Sequence, residues 1–590
     1  MHIERHAVGE AALSAAVTDF AERMAGDVHR MQHDESPQYG WEMICESFLD
    51  YVGARSVDNP ALTGKDCKLA FESAAAAALG SFALTAWPRR VGDVFIEYTG
   101  TGVVYDREDL AGDVPAHDWL DTFFLACVAG DTDRDGALFL SAAPPRAGQE
   151  QRADVALVHA LSAFVYGVLG SADAGGAAGP VTDEQRAAFI DVLVRELGPG
   201  SDRSHDRAAL ATLRALAADD REGFTAALAE QLTRYRERQA ATAKPHPRSL
   251  LPLDALALAS LAQRWKGWQP GVDSAYLPAA VLGGFAPPVP RVRAFGADKR
   301  PDALAALAAG PLVVDGPRRS QGQEPTDPAR AEQAERYDQY LARSAAEFAD
   351  PEEQPAQVAR RLTRVLDDQY RIFQRWVTDG PTADDGRGHG ALVRAAEAGT
   401  AAFRLAAAEP GTEPEVSIGG VTRALPAGGR PNAVGPAQWM RATAAAVLSG
   451  EDGLLAECVR IGPDPFGSGG SATAVRAYAT ALHDHLRGAD AEPALRGAAA
   501  EAFRMRHLNY LLPPVVLLSQ LAAGDREGFA LALADALEEH RDHYEVGENA
   551  TDPDALLNPD VLALVRLAHR AGWEVPVRSP YLPAPLVPAA

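Results

Sequence analysis

Asp220-Arg-Glu-Gly-Phe224 occurs a second time in the chain, as Asp525-Arg-Glu-Gly-Phe529. In both places alanine and leucine precede the string and an amphipathic run follows it. The aspartate predicts a helix start, because its carboxylate can accept hydrogen bonds from backbone amides that lack a helical partner. The phenylalanine and the leucines that follow it then supply the buried stripe of that helix.

The repetition extends well beyond this string. Further residues recur at the separation of 305 positions that joins Asp220 to Asp525. Among them are Leu228, Leu232, Gly267, Trp268, Val272, Ser274, Tyr276, Leu277 and Pro278, matched by Leu533, Leu537, Gly572, Trp573, Val577, Ser579, Tyr581, Leu582 and Pro583. Upstream, Trp119 and Trp439 each begin a helical run that ends at a glycine. The chain is therefore a tandem duplication of one module.

The duplication predicts three segments within the 590 residues: a first helical module at 1–288, a linker rich in proline and glycine at 289–328, and a second helical module at 329–590. Proline and polar residues without a hydrophobic period are typical of a linker. A short helix is expected inside it, at 302–309. The first module also carries a glycine- and alanine-rich insertion at 171–180, which the second lacks.

Helical periodicity dominates both modules. Val358, Leu362, Val365 and Leu366 recur at spacings of three and four, which places one apolar stripe along a helix. Strand signals are confined to Asp93–Tyr98 and to 415–419, where residues alternate before a turn. The predicted fold class is mainly α: two tandem helical-array domains of antiparallel helix hairpins, each with a small β-hairpin.

The composition of the chain limits its possible binding partners and its cellular compartment. A formal net charge of −25 makes nucleic acid and anionic membranes unfavourable partners, because both are polyanions, and it favours a basic protein. The four cysteines form no CxxC pair and are expected to be buried thiols, which argues against disulfides and structural zinc. The first residues lack the apolar core of a signal peptide. The expected location is the cytoplasm.

Three local motifs suggest ligand sites, and each has a simpler interpretation. Asp131–Gly136 resembles the start of a calcium loop, but position twelve is Ala142 rather than glutamate, which favours a helix-capping turn. His540 and His543 could place two metal ligands on one helix face, but no third ligand is evident, which favours a solvated, charged helix face. The glycine-rich run at 467–470 lacks the lysine of a phosphate loop. No cofactor and no catalytic motif is predicted.

These residues together resemble the immunity 49 family of bacterial polymorphic-toxin systems. The resemblance rests on the Asp-Arg-Glu-Gly-Phe helix start, a Leu-Ala-Leu helix, a Gly-Trp turn and a Ser-x-Tyr-Leu-Pro segment, together with the opening at Glu4 and the segment Phe48–Ser56. The usual family member has one module, so the tandem form is a departure. The resemblance implies a mostly helical cytoplasmic protein that binds and neutralises a cognate toxin without catalysis.

Three functions follow as hypotheses. The first is an immunity protein that occludes a basic cognate toxin stoichiometrically; the second is a helical scaffold or adaptor; the third is an enzyme whose site the sequence does not reveal. The candidate partner-binding residues are the repeated ones, namely Trp119, Trp439, Asp220, Glu222, Asp525, Glu527, Tyr276 and Tyr581. Core packing explains the same repeats, because duplication copies core and interface alike. The toxin, the stoichiometry and the oligomeric state are not predicted.

Overall fold

The structure, a computed structural model, describes residues 2–86, 92–105, 113–130, 132, 135–169, 181–197, 205–285, 289–316, 336, 339, 355–379, 387–427, 434–463, 473–505, 511–547, 549, 552–583 and 586. The chain divides into two compact units: unit 1 is Met1–Pro288 with Val546–Glu548, and unit 2 is Val289–Glu545 with Asn549–Ala590. The fold is mainly α, as predicted.

Among its described residues, unit 1 contains twelve α-helices and two pairs of short strands. Its described helices are α1 (Glu10–Val17), α2 (Phe20–Arg30), α3 (Pro37–Asp58), α4 (Lys65–Ala86), α5 (Ala116–Ala129), α6 (Gly136–Ser141), α7 (Ala153–Tyr166), α8 (Asp183–Glu196), α9 (His205–Ala217), α10 (Arg221–Ala240), α11 (Leu253–Lys266) and α12 (Ala279–Leu282). Helix α3 packs against α4, and α4 packs against α5. A 3₁₀ helix, Pro247–Leu250, lies against α3.

Unit 2 repeats this plan with ten described α-helices. They are α13 (Pro301–Ala309), α14 (Pro355–Asp379), α15 (Arg387–Ala407), α16 (Pro436–Ser449), α17 (Asp452–Ile461), α18 (Thr473–Leu486), α19 (Glu492–Met505), α20 (Val515–Ala523), α21 (Arg526–Tyr544) and α22 (Pro559–Arg570). Helices α14, α15 and α16 pack in sequence, as α3, α4 and α5 do in unit 1. A 3₁₀ helix, Pro553–Leu556, again contacts the first of them.

Each unit contains the β-hairpin predicted from alternation. In unit 1, β2 (Gly92–Ile96) pairs antiparallel with β3 (Thr101–Tyr105). In unit 2, the corresponding β6 (Glu415–Ile418) pairs antiparallel with β7 (Val421–Ala424). The hairpins therefore occupy equivalent places in the two copies.

A second pair of strands joins the beginning and the end of each unit. In unit 1, β1 (His2–Ile3) pairs in parallel with β4 (Asp273–Ser274). In unit 2, β5 (Leu312–Val313) pairs in parallel with β8 (Val577–Arg578). Because each partner strand belongs to the repeated Ser-x-Tyr-Leu-Pro region, the two pairings are equivalent.

Residues 289–316 of the predicted linker belong to unit 2. Val292 and Val314 are buried in its core, and α13 is the helix expected at 302–309. Arg291 Nη1 lies 2.6 Å from Asp535 Oδ1, which adds a charged contact on α21. Proline and polar residues without a hydrophobic period suggested a linker here, but apolar residues of this segment pack into the core of unit 2. Positions 317–328 and the insertion at 171–180 lie outside the described residues, and the bounds of the modules stay a prediction.

Helix α4 is long and apolar enough, by length and composition alone, to cross a membrane. Within unit 1 it packs as a core helix: Phe71, Ala74 and Phe82 are buried among the other helices. An alanine-rich helix of this kind meets the same length and composition criteria as a membrane span.

Candidate functional site

The repeated aspartates begin equivalent helices. Asp220 precedes α10, and its Oδ1 accepts a hydrogen bond from the Gly223 amide at 2.8 Å. Asp525 precedes α21, and its Oδ1 accepts from the Gly528 amide at 3.0 Å. A β-carbon at either glycine would stand within about 2.3 Å of the capping carboxylate, so the aspartate and the glycine of the motif are required together.

The phenylalanine of each string packs in the core. Phe224 meets Trp268 edge to face with ring centroids 5.8 Å apart, and Phe529 meets Trp573 in the same way at 5.5 Å. The Gly-Trp turn is therefore repeated because its tryptophan closes over the phenylalanine of the preceding helix.

Trp119 and Trp439 occupy equivalent buried positions. Both side chains are 0% exposed. The Trp119 indole donates to the Phe139 carbonyl at 2.9 Å, and the Trp439 indole donates to the Cys458 carbonyl at the same distance. Each tryptophan thereby ties its own helix, α5 or α16, to the helix that follows, α6 or α17.

Tyr276 and Tyr581 lie at the paired ends of the units. Tyr276 is fully buried, and its hydroxyl accepts from the His6 amide at 3.0 Å. Tyr581 is 1% exposed and meets the His540 ring edge to face at 5.0 Å. In both segments the serine two residues earlier accepts from the tyrosine amide at 3.3 Å, which explains the Ser-x-Tyr spacing.

The eight predicted partner-binding residues thus fall into two groups. The four aromatic residues, together with the caps Asp220 and Asp525, have structural partners in the fold. Asp525 also pairs with Lys299 Nζ at 2.8 Å. Glu222 and Glu527 are exposed. A partner can reach these two glutamates without rearranging the core, but partner binding by any of the eight stays a prediction.

A cavity of about 450 Å³ opens in unit 1 between α3, α4, α5, α10 and the 3₁₀ helix Pro247–Leu250. We call it cavity 1. Four carboxylates line it: Glu42 and Glu46 from α3, and Asp118 and Asp121 from α5. Its wall is completed by polar and apolar side chains that include Tyr235, Gln239, Ser249, Phe82 and Leu253.

The carboxylates of cavity 1 raise one another's proton affinity. Asp121 faces the cavity, but the surrounding protein restricts its hydration. This burial, together with the nearby charges of Asp254 and Asp118, raises the pKa of Asp121 to about 6, whereas His205 opposes the shift. Burial, followed by the charges of Asp118 and Glu46, raises the pKa of Glu42. Mutual repulsion of this kind favours a positively charged ligand.

Arg248 is the arginine that lines cavity 1, and α3 already engages it. Its Nη1 lies 2.7 Å from Asp50 Oδ2, and its Nη2 lies 2.9 Å from Glu46 Oε1. Its amide also donates to Asp50 Oδ1 at 2.9 Å. Among the residues that the structure describes, neither Glu42 nor Asp121 has an ion-pair partner, so the negative charge of the cavity is only partly balanced.

Unit 2 has a second cavity, which we call cavity 2. Cavity 2 shares with cavity 1 the walls formed by the equivalent helices α5 and α16, by α10 and α21, and by the two 3₁₀ helices, whereas no described residue of α14 or α15 lines it. Its volume is about 250 Å³. Its lining residues occupy the positions that line or flank cavity 1: Arg441, His540, Tyr544, Asp554 and Pro559 correspond to Asp121, Tyr235, Gln239, Arg248 and Leu253. The equivalence rests on the repeats, since Asp121 and Arg441 each follow the repeated tryptophan by two residues.

Two charges are reversed between the cavities. Arg441 replaces Asp121, and Asp554 replaces Arg248. Arg441 Nη1 lies 2.7 Å from Asp367 Oδ1, and its Nη2 lies 3.2 Å from Asp554 Oδ2. Burial alone would lower the pKa of Arg441, but Asp554 and Asp367 raise it above its ordinary value. Cavity 2 therefore holds its own guanidinium.

The histidine pair requires a correction. His540 was expected on a solvated helix face, but it is 1% exposed and its Nδ1 lies 3.4 Å from the Asn558 amide nitrogen. Burial lowers its pKa to about 4, so the ring is neutral near pH 7. The spacing from Leu533 and Leu537 accounts for this, because all three residues lie on the apolar stripe of α21.

The structure gives little information on the other predicted ligand motifs. Residues 131, 133 and 134 of the acidic turn, and the glycine-rich run at 467–470, lie outside the described residues. Within the described ranges, no group of three or more histidine, cysteine, aspartate or glutamate residues could hold a metal ion. Cys45, Cys67, Cys127 and Cys458 are free and buried.

Comparison with known proteins matches both copies to one family. The sequence pattern of the family described as Immunity protein 49 matches residues 65–281 and, separately, residues 382–586, which together make up more than half of the chain. The chain belongs to the immunity protein 49 family. The double match also confirms that the immunity protein 49 module is present in tandem. Helix α3, which contributes Glu42 and Glu46, lies outside the first matched region.

Other comparisons add nothing to this assignment. No curated protein matches the chain closely. A solved structure described as a "circular tandem repeat protein with novel repeat topology and enhanced subunit contact surfaces" aligns over 96% of this chain and 93% of that chain, at 13% identity. Its TM-score of 0.10 is too low to bear on the fold or the function of this immunity protein 49 family member.

Sequence reasoning selected the repeated residues and missed the cavities. The cavity residues are those that differ between the copies, so a search for repetition passes over them. A signal was nevertheless present. Charge reverses two residues after the repeated tryptophan, and it reverses again immediately before Ser249 and Ala555. Only the fold shows that these two positions face the same cavity.

Proposed function

We propose that this chain is a cytoplasmic immunity protein that binds a cognate polymorphic toxin stoichiometrically and neutralises it by occlusion, without catalysis. The family match over both modules supports this proposal most directly. Membership of an immunity family implies a toxin as the partner, and the identity of that toxin is open.

Charge supports a basic toxin. The chain carries a formal net charge of −25, and cavity 1 adds a local concentration of carboxylates. Complementary charge accelerates the encounter of two proteins and penalises partners of the wrong sign. A basic toxin would therefore associate quickly at low ionic strength and more slowly as salt screens the attraction. The free, buried cysteines are typical of proteins in a reducing cytoplasm.

Co-expression tests the proposal. The product of the gene adjacent to this one is tested as the toxin: it is expressed with and without the full chain in a sensitive host, and growth is measured. We expect the chain to restore growth and to co-elute with the toxin in size-exclusion chromatography with light scattering, which also gives the stoichiometry. Two modules permit one or two toxin molecules per chain. Failure of both rescue and complex formation would contradict the proposal.

One observation favours an enzyme as a second candidate. Cavity 1 contains carboxylates whose pKa is raised, including Asp121 at about 6, and such groups can exchange protons near neutral pH. Titration separates the two functions. An occluding protein protects only up to its binding stoichiometry, whereas an enzyme that inactivates the toxin protects when far less of it is present.

A further inference from the structure

The equivalent helices α11 and α22 both have an aspartate as their second residue. In unit 1 this residue, Asp254, is 8% exposed and is held by two donors. The side-chain amide of Gln231 donates to its Oδ2 at 2.8 Å, and the Ala255 backbone amide donates to its Oδ1 at the same distance. Gln231 in turn accepts from the Thr212 hydroxyl at 2.8 Å. Unit 1 thus surrounds its buried carboxylate with hydrogen bonds, as a buried charge requires.

Unit 2 keeps the carboxylate but lacks this chain of donors. Asp560 occupies the place of Asp254, since both precede a repeated Leu-Ala-Leu by two residues. At the separation of 305 positions that joins the two helix caps, Ala536 replaces the glutamine and Leu517 replaces the threonine. Among the described residues, none donates a hydrogen bond to the Asp560 carboxylate or forms an ion pair with it. Unit 2 is therefore left with a half-buried carboxylate that lacks the partners of its counterpart.

Asp560 is one of the residues that line cavity 2. Burial raises its pKa to about 6; the charge of Arg441 opposes this shift, and the charge of Asp554 adds to it. Arg441 does not neutralise Asp560 fully, because its two terminal nitrogens already pair with Asp367 and Asp554. One guanidinium thus serves three carboxylates, and Asp560 is the one without a direct contact.

A second polar group near Asp560 also lacks a partner. Tyr478, on α18, is fully buried one turn after Val475, which lines cavity 2. The Tyr478 hydroxyl has no hydrogen-bond partner among the described residues. Burial raises the pKa of this hydroxyl, and the charge of Asp560 contributes to the shift, so the two groups lie close enough to interact. Both oxygens can accept hydrogen bonds, and this part of unit 2 is therefore short of donors.

The rest of cavity 2 suits a short apolar chain. Its volume is about 250 Å³, and apolar side chains form much of its wall, including Met440, Val475, Leu511, Leu512 and Leu557. An ammonium group carries three N–H donors and a compact positive charge, so it can donate to a carboxylate and to a phenolic oxygen together.

We propose that cavity 2 binds an alkylammonium group, with Asp560 as its counter-ion. The ammonium supplies the donors that Gln231 supplies in unit 1, and the alkyl chain lies along the apolar wall. The group belongs either to a free small amine or to a lysine of the toxin. Only the second of these sources rests on the proposed function.

Butylammonium, titrated calorimetrically into the full-length protein, tests the site. We expect one weak site, and 1-butanol, which has the same alkyl chain without the charge, should bind at least about tenfold more weakly. Asp560→Asn should also weaken butylammonium binding at least about tenfold. The matched control is Glu413→Gln, which removes one negative charge from an exposed position in unit 2 and should change nothing. No binding to the wild type, or equal affinity in Asp560→Asn and Glu413→Gln, would overturn the proposal.

Ala536→Gln is a second variant that leaves the carboxylate in place. It gives Asp560 the amide donor that Asp254 has in unit 1. We expect it to raise the melting temperature, because a half-buried acceptor gains a hydrogen bond, and to weaken butylammonium binding about tenfold, because the amide occupies the place of the ammonium. Wild-type affinity for butylammonium in a stabilised Ala536→Gln variant would show that Asp560 is not the counter-ion.

The toxin distinguishes the two sources of the ammonium group. If a toxin lysine enters cavity 2, butylammonium competes with the toxin, and Asp560→Asn weakens toxin binding at least about tenfold. If the toxin binds Asp560→Asn within about threefold of its wild-type affinity while the wild type binds butylammonium, the ligand is a free amine. A chain that binds butylammonium but no toxin would contradict the proposed function and still support the site in cavity 2.

Discussion

Cavity 1 and cavity 2 share equivalent walls from α5 and α16 and from α10 and α21, yet Asp121 and Arg248 line the first whereas Arg441 and Asp554 line the second. In cavity 2 the reversed residues contact each other, since Arg441 Nη2 lies 3.2 Å from Asp554 Oδ2. In cavity 1 the arginine is engaged by α3, and Asp121 is left facing the cavity. Duplication therefore preserved the frame of the module while the chemistry of its cavity diverged.

The largest expected effect tests whether the two modules share one frame. Trp119→Ala and Trp439→Ala each empty a fully buried site and remove an indole hydrogen bond. Each should lower the free energy of unfolding of its own module by about 3–5 kcal/mol. Hydrogen exchange measured peptide by peptide reports each module separately. Trp265→Ala, at a position 45% exposed, is the control with a small effect. Strongly unequal losses would contradict a shared frame.

The next largest effect concerns Arg441, the arginine that lines cavity 2. Arg441→Ala leaves Asp367 and Asp554 facing each other without a cation, and should destabilise unit 2 by about 2 kcal/mol. Millimolar agmatine, a guanidinium on a short alkyl chain, should restore part of this loss, because it returns a guanidinium to the place between Asp367 and Asp554. Melting temperatures with and without agmatine measure both effects, and Arg441→Met separates lost charge from lost volume. An Arg441→Ala variant that is as stable as the wild type, and whose melting temperature does not change with agmatine, would contradict the comparison of the two cavities.

A smaller difference is expected at the repeated helix caps. Asp220→Ala removes a cap and should cost about 1 kcal/mol. Asp525→Ala removes an equivalent cap together with the Lys299 ion pair, and should cost about 1.5 kcal/mol. Exchange protection at the first turns of α10 and α21 measures each loss. Lys299→Ala should account for the difference, and equal costs for the two caps would show that the ion pair adds nothing.

The smallest expected effect is a dependence of the stability of the first module on pH. The folded pKa of Asp121, about 6, lies above its ordinary value of 3.8, so the folded protein holds the proton more tightly than the unfolded chain. The ionised group therefore lowers stability above pH 6, and this cost disappears as the pH falls below 4. Asp118 and Asp254 favour the proton, whereas His117 and His205 oppose it.

Asp121→Asn should consequently stabilise the first module at pH 7 by about 1 kcal/mol or less, because solvent in the cavity screens the charge. The gain should vanish at pH 4. Denaturant unfolding at the two pH values measures it, with Glu413→Gln as the control that shows no such change. A gain that grows as the pH falls would reverse the sign derived for Asp121.

The frame could be predicted from the sequence because local rules specify it. The apolar stripe of α14 and the alternation before each hairpin turn depend only on neighbours along the chain. Asp19 shows where this reasoning stops. Helical periodicity runs through the sequence from Val8 to Met31 and predicts one helix there, but Asp19 has a positive φ of 48°, and α1 and α2 are separate at this point. An aspartate tolerates this backbone conformation, so no glycine or proline marks the break.

The cavity could not be predicted in the same way. Glu42, Asp121 and Arg248 are far apart in the sequence and meet only when α3, α5 and the 3₁₀ helix pack together. None of them belongs to a repeated motif, so the comparison of the two copies highlighted residues that build the core. His540 illustrates the opposite case, because its spacing from Leu537 already indicated burial.

The parallel pairing of β1 with β4, and of β5 with β8, brings the first and last described strands of each unit together. Chains whose ends meet can be cut elsewhere and rejoined at the old ends without disturbing the interior. A circularly permuted gene for the first module, opened within the glycine- and alanine-rich insertion at 171–180, should therefore still give a folded product. The same closure suits the module to serial copying, because another copy can be appended without reopening those already present.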